Sequence, residues 1–199
     1  MKLSKRRPEP ELDAQRLDYF TALDWAGWLM RGVQPAQFPR PTPCPEFTVR
    51  DLMGHLLGSA LRGAGTGRGL PTGHIPHVVT DVPGDGLAAA FEGTARHVRQ
   101  EWQRHRGGDQ VAAPWGPCTA LEALRGFTVE TVAHGWDLAV ATGQPHEAPD
   151  QVADRCLAFA AAVIPGRLRG VMYDGPVPDG DGDDATTRLA HLLGHRARP

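Results

Sequence analysis

The sequence predicts an all-α fold: a four-helix bundle with one or two short extra helices toward the C-terminus. Three observations carry this expectation. Apolar residues recur at steps of three and four through several long segments. Two Thr-x-x-acid capping boxes, Thr48-x-x-Asp51 and Thr119-x-x-Glu122, each open such a segment. No run alternates apolar and polar residues over a useful length, so strands are not expected. Long amphipathic helices joined by polar loops bury their stripes against one another.

The 199 residues suit one domain with a small appendage. Residues 1–11 are charged and contain proline, and are expected as a loose N-terminal arm. From Leu12 a stripe of Leu17, Phe20, Leu23, Gly27 and Met30 marks a first helix ending near Gly32. Pro35, Pro39, Pro41, Pro43 and Pro45 then forbid helix. Thr48 starts the second helix, which buries Val49, Leu52, Leu56 and Ala60. Gly63 to Gly86 reads as a long Gly/Pro-rich loop, of the length that is often functional or mobile. A third helix begins near Gly86 with Leu87, Phe91, Thr94, Val98 and Trp102, and Gly107-Gly108 ends it. A link holding Pro114, Trp115, Gly116 and Pro117 leads to Thr119. The longest helix follows, to about Thr142, with Gly143 as its stop. A fifth helix covers about Asp150 to Val163, and a last short one ends at Leu193-Gly194. The bundle is thus expected over residues 12–165, and a C-terminal loop and short helix over 166–199.

Composition excludes several classes. The 21 basic and 23 acidic residues give a net charge of −2, which argues against a partner bound by neutralising phosphates. No stretch reaches the length of a membrane-spanning helix. The basic N-terminus lacks the apolar core of a signal peptide, so a cytoplasmic location is expected. Cys44, Cys118 and Cys156 are widely spaced and form no CxxC pair. Neither a disulfide framework nor a thiolate zinc site is indicated, and Cys44 and Cys118 read as small buried or turn residues. There is no phosphate-cradling glycine loop and no GxSxG.

Two anomalies stand out on apolar faces. Glu130 and His134 lie four apart on one helix, among Phe127, Val129, Val132, Trp136 and Leu138. A carboxylate there is costly unless it is paired or bound to a cation. His55 sits among Leu52, Leu56 and Leu57, just inside the second capped helix. Two histidines and one glutamate from two helices form the donor set of zinc sites that keep a coordination position open. A Glu130–His134 surface pair beside an unrelated core histidine is the alternative.

Other clusters are weaker. His97, Glu101 and His105 share a face surrounded by arginines, which reads as solvated. His97 and His105 stand about 12 Å apart at 1.5 Å rise per residue, too far to hold one ion. His191 and His195 flank Gly194 and read as a frayed tail. His74 and His77 lie in the long loop with nothing to place them. The Asp179–Asp184 run resembles the start of a calcium loop, but Asp184 stands where glycine is required and Ala190 where the bidentate acid belongs.

The stretches TPCPEFTVRDLMGHL (Thr42 to Leu56) and VETVAHGWDLAVATGQ (Val129 to Gln144) resemble the mycothiol-dependent maleylpyruvate isomerase family, within the DinB-like metal-binding bundles. A Pro-Trp-Gly turn before the second stretch and an RLAHLLG ending extend the likeness over most of the chain. Two departures stand beside it. Position 47 is Phe where many relatives carry Trp. Two-domain relatives add a sterol-carrier-like domain that completes the substrate site, and this chain has little beyond residue 165.

The resemblance implies a DinB-like four-helix bundle with His55, Glu130 and His134 as ligands of one divalent metal ion, zinc or nickel. It also implies mycothiol as a cosubstrate. The expected function is a mycothiol-dependent isomerase or S-transferase acting on a small electrophile. The alternative is a non-catalytic metal-binding or sensing bundle. Asp137, three residues after His134, is placed to hold that histidine's second nitrogen, with a helix-surface or capping contact as its alternative. The expected partners are a small-molecule thiol and an electrophilic substrate, with no nucleic acid and no membrane. Homodimerisation is left open.

Overall fold

Two threonines set where the site-bearing helices begin. In the computed structural model, Thr48 Oγ1 accepts from Asp51 N at 3.2 Å while Asp51 Oδ2 accepts from Thr48 N at 3.2 Å, opening α2 (Val49–Arg68). Thr119 and Glu122 repeat the exchange at 3.2 Å and 2.8 Å to open α4 (Ala120–Thr142). Each pair satisfies two N–H groups that a bare helix end leaves orphaned. The structure describes residues 9–164 and 174–197. The expected boundary between bundle and C-terminal segment, at 165–166, lies outside them, as do residues 1–8 of the expected arm.

The bundle is completed by α1 (Pro10–Gly32) and α3 (Leu87–Trp102). α1 packs on α3 and α4, and α2 packs on the other sides of the same two helices. Their stripes meet in a core of Tyr19, Leu23, Leu52, Leu56, Phe91, Trp102 and Phe127. Beyond α4, the paired helices α5 (Asp150–Val163) and α6 (Ala185–Leu193) cover a second, smaller apolar cluster around Val132, Val152 and Leu189. Among the described residues, no helix is long and apolar enough to cross a membrane.

Four expectations need correction. α1 starts at Pro10 rather than Leu12, because proline is well tolerated in the first helical turn. α2 runs five residues past Gly63, to Arg68. Its glycines there serve helix packing: Gly63 lies against Tyr19, Gly67 lies against Trp102, and Gly63 O accepts from Trp102 Nε1 at 2.9 Å. The helix stops at Gly69, left-handed at φ 77°. The link before α4 is an antiparallel hairpin, β1 (Gln110–Ala113) and β2 (Gly116–Thr119), whose four-residue strands are too short to show alternation in the sequence. His105 is not on a solvated face: its ring packs on Trp102 and its Nε2 lies 2.6 Å from Gly67 O.

The loop between α2 and α3 lies flat on α2. Arg62 holds Pro76 O at 2.7 Å. Arg50 holds Val79 O at 2.8 Å and Val82 O at 2.7 Å. Val79 N donates to Gly54 O at 3.2 Å. This approach needs glycine beneath it: a methyl at Gly54 would meet Val79 O at 2.5 Å, and one at Gly58 would meet Pro76 O at 3.0 Å.

Two predictions follow from these contacts. Thr48→Ala and Thr119→Ala should each destabilise the protein by about 1 kcal/mol, read as a lower midpoint in denaturant. An unchanged midpoint for both would mean that the caps do not set the helix starts. Gly54→Ala should lower the melting temperature even though alanine favours helix by about 1 kcal/mol over glycine, because the loop backbone must lift away. A raised melting temperature would show that the loop is not tied to α2.

Candidate metal centre

His55 on α2 and Glu130 and His134 on α4 come together at the α2–α4 contact. One donor atom from each lies within 4.8 Å of the others. His55 Nε2 is 2.9 Å from Glu130 Oε1, and His134 Nε2 is 3.7 Å from the same oxygen. The His55 and His134 side chains are 4% and 12% exposed, whereas Glu130 is 38% exposed and opens the cluster on one side.

The far nitrogens of both rings are committed. His55 Nδ1 is 3.1 Å from the backbone oxygen of His77. A carbonyl only accepts, so Nδ1 carries the proton and donates. His134 Nδ1 is 3.0 Å from Asp137 Oδ2 and donates to that carboxylate. In the neutral rings, both Nε2 atoms therefore present bare lone pairs toward Glu130 Oε1, itself an acceptor. Three acceptors facing one another are satisfied by a shared proton or by a cation. The set of two imidazoles and one carboxylate, with both imidazoles braced from behind, fits a divalent metal ion.

The electrostatics follow from the same packing. When protons rather than a cation fill the cluster, burial pushes the Glu130 carboxyl up, but the charge on His134 and the hydrogen bond from His55 outweigh it and hold it at about 2. Burial pulls His134 down, and the Glu130 and Asp137 carboxylates raise it above its ordinary value. Asp137 is fully buried. Burial raises its carboxyl, and hydrogen bonds from His134 and His195 bring it below the usual range. Burial and the Asp137 charge push the Cys44 thiol up to about 11, so it is a poor nucleophile at neutral pH.

The proline-rich turn supplies a wall. Thr42 Oγ1 lies 2.7 Å from Cys44 O and 2.9 Å from Phe47 O, pinning the turn. The Phe47 ring stacks on His55 with centroids 4.9 Å apart and meets His134 edge-on at 6.3 Å. Asp137 is buried and its Oδ2 lies against His134 Nδ1.

Of the weaker clusters, His97 and His74 are exposed. His77 reaches it through its backbone oxygen, with its ring 4.5 Å from that of His55. The tail expectation fails for His195. Gly194 turns the chain back and His195 Nδ1 bonds Asp137 Oδ2 at 2.8 Å. Asp184 and Gly194 are ordinary start and stop signals for α6, and together they could have placed that histidine. Asp184 caps α6 instead of opening a calcium loop. His191 faces Asp179 and Asp183 at 3.5 and 3.2 Å, apart from the bundle centre.

Residues 23–139 match the family model described as the mycothiol maleylpyruvate isomerase N-terminal domain. Uncharacterised proteins from two strains of Mycobacterium tuberculosis are each 31% identical over 144 residues, covering 71% of this chain and 75% of theirs. The fold resembles the crystal structure of a mycothiol-dependent maleylpyruvate isomerase, with a TM-score of 0.58, 18% identity, and coverage of 74% of this chain and 68% of that one. A histidine-to-alanine mutant of that isomerase gives a TM-score of 0.59 at the same identity and coverage. With the matched domain spanning more than half of its length, the chain belongs to the mycothiol maleylpyruvate isomerase N-terminal domain family.

Proposed function

We propose that this chain binds one divalent metal ion, zinc or nickel, through His55, Glu130 and His134. We further propose that it uses the ion to activate mycothiol toward a small electrophile, in an isomerisation or S-transfer. The observation that carries this reading is the convergence of two imidazole nitrogens and one carboxylate oxygen within 4.8 Å. Three protein donors suit a centre that keeps room for a small molecule. Bound there, a divalent cation stabilises a thiolate at neutral pH.

The chain's own residues have separable tasks. His77 O and Asp137 fix the tautomer and tilt of the two histidines. Phe47 keeps water from one side of them. The exposed edge of Glu130 leaves the approach by which a thiol and its electrophile enter. No cysteine of the chain is needed as nucleophile, in keeping with the raised Cys44 thiol.

Elemental analysis of protein purified without chelator should find close to one divalent ion per chain. His55→Ala and His134→Ala should each lose it, because a three-donor site tolerates no missing ligand. His97→Ala serves as the control and should keep it. Unchanged metal in both ligand variants would refute the assignment.

The thiol is tested separately. Mycothiol added to the cobalt-substituted protein should produce a sulfur-to-cobalt charge-transfer band. The band should titrate well below the free thiol's ordinary pKa of about 8.5. If cobalt is bound and mycothiol gives no band, the thiol chemistry fails and metal binding alone remains.

A further inference from the structure

The C-terminal segment reaches the candidate centre from behind. Asp184 Oδ1 accepts from Thr186 N at 2.8 Å and from Thr187 N at 3.1 Å, fixing the start of α6. Two buried polar bonds then lock the helix down. Trp136 Nε1 donates to Thr187 Oγ1 at 3.1 Å, and Ala148 N donates to Thr186 Oγ1 at 2.9 Å. Past Leu193 the chain turns through Gly194 at φ 96°, and His195 N donates to Ala190 O at 2.9 Å. That turn aims the His195 ring at Asp137.

Asp137 is fully buried and its charge is met by two imidazoles. His134 Nδ1 lies 3.0 Å from Oδ2. His195 Nδ1 spans both oxygens, 2.9 Å from Oδ1 and 2.8 Å from Oδ2. Without His195, Oδ1 has no other side-chain donor among the described residues. A buried acceptor in that state turns toward whatever donor it can find. Its rotation would slacken the grip of Oδ2 on His134, which is what points His134 Nε2 at Glu130.

We infer that His195 is a positioning residue of the centre, holding Asp137 in the orientation that sets His134 toward Glu130. The inference rests on the proposed metal centre. It makes α6 and the residues after it a working part of the site rather than a tail.

The test measures zinc affinity of the full chain by chelator competition, and the visible spectrum of the cobalt form. His195→Ala should still saturate at one ion, with affinity reduced about 10- to 100-fold, as for other partners that brace a metal ligand. Its cobalt spectrum should shift as His134 reorients. His195→Gln, whose amide can donate to Asp137, should recover most of the affinity. His97→Ala, at an exposed position on α3, should leave affinity in place. Equal zinc affinity in wild type and folded His195→Ala would overturn the inference, as would a Gln variant no tighter than the Ala variant. Should His195→Ala unfold, His195→Gln is compared with His195→Leu, and equal affinities overturn it. A wild type that takes up no zinc removes the metal centre itself, a result distinct from tight binding that ignores His195.

Discussion

Three acceptor atoms face one another across the α2–α4 contact and must share a proton or a cation. His55 Nε2, His134 Nε2 and Glu130 Oε1 are kept in that position by groups that pull the ring protons the other way. One of these groups is a backbone carbonyl from a loop, the other a buried carboxylate one turn along α4. Neither could act unless both helices held a fixed register. The two capping boxes fix where each helix starts, and Gly69 and Gly143 fix where each stops. Local signals worth about 1 kcal/mol each thereby determine whether donors 75 residues apart in the chain meet.

Helix packing and site geometry are the same problem here. α2 carries glycines on two faces. Gly63 and Gly67 let it sit close to Tyr19 and Trp102 in the core, and Gly54 and Gly58 let the following loop lie on its backbone. The second contact brings His77 O within 3.1 Å of His55 Nδ1. A helix with alanine at these positions would favour its own formation and lose the approach of the loop.

Most of the bundle was legible in the sequence because its signals are local. The stripe of α3, both capping boxes and the stops at Gly143 and Gly194 fall where the pattern places them, whereas Leu17 of the α1 stripe and Val163 of the α5 stripe are exposed and α3 ends at Trp102, short of Gly107. The convergent residues His55, Glu130 and His134 could be singled out because each is a polar residue on an otherwise apolar face. What escaped depends on partners distant in sequence. The glycines of α2 read as loop because their helix is held by Trp102, Tyr19 and Thr72. The hairpin was missed because four residues give too little alternation. His195 read as a frayed end because its partner, Asp137, lies 58 residues earlier and meets it only after α6 has docked.

The loop on α2 is gripped by its main chain. Arg50 and Arg62 bind carbonyl oxygens of residues 76, 79 and 82, and Val79 N binds Gly54 O. Carbonyls are common to every amino acid, so the grip itself reads no side chain, and in this stretch the side-chain constraint comes from Val79, buried in the core, and from Val78 and Val82 packed against it. His77 illustrates the division: its backbone braces His55 while its imidazole stands exposed at the rim. Substitutions of the exposed His77 side chain can change the surface beside the candidate centre while leaving the carbonyl that meets His55 in place.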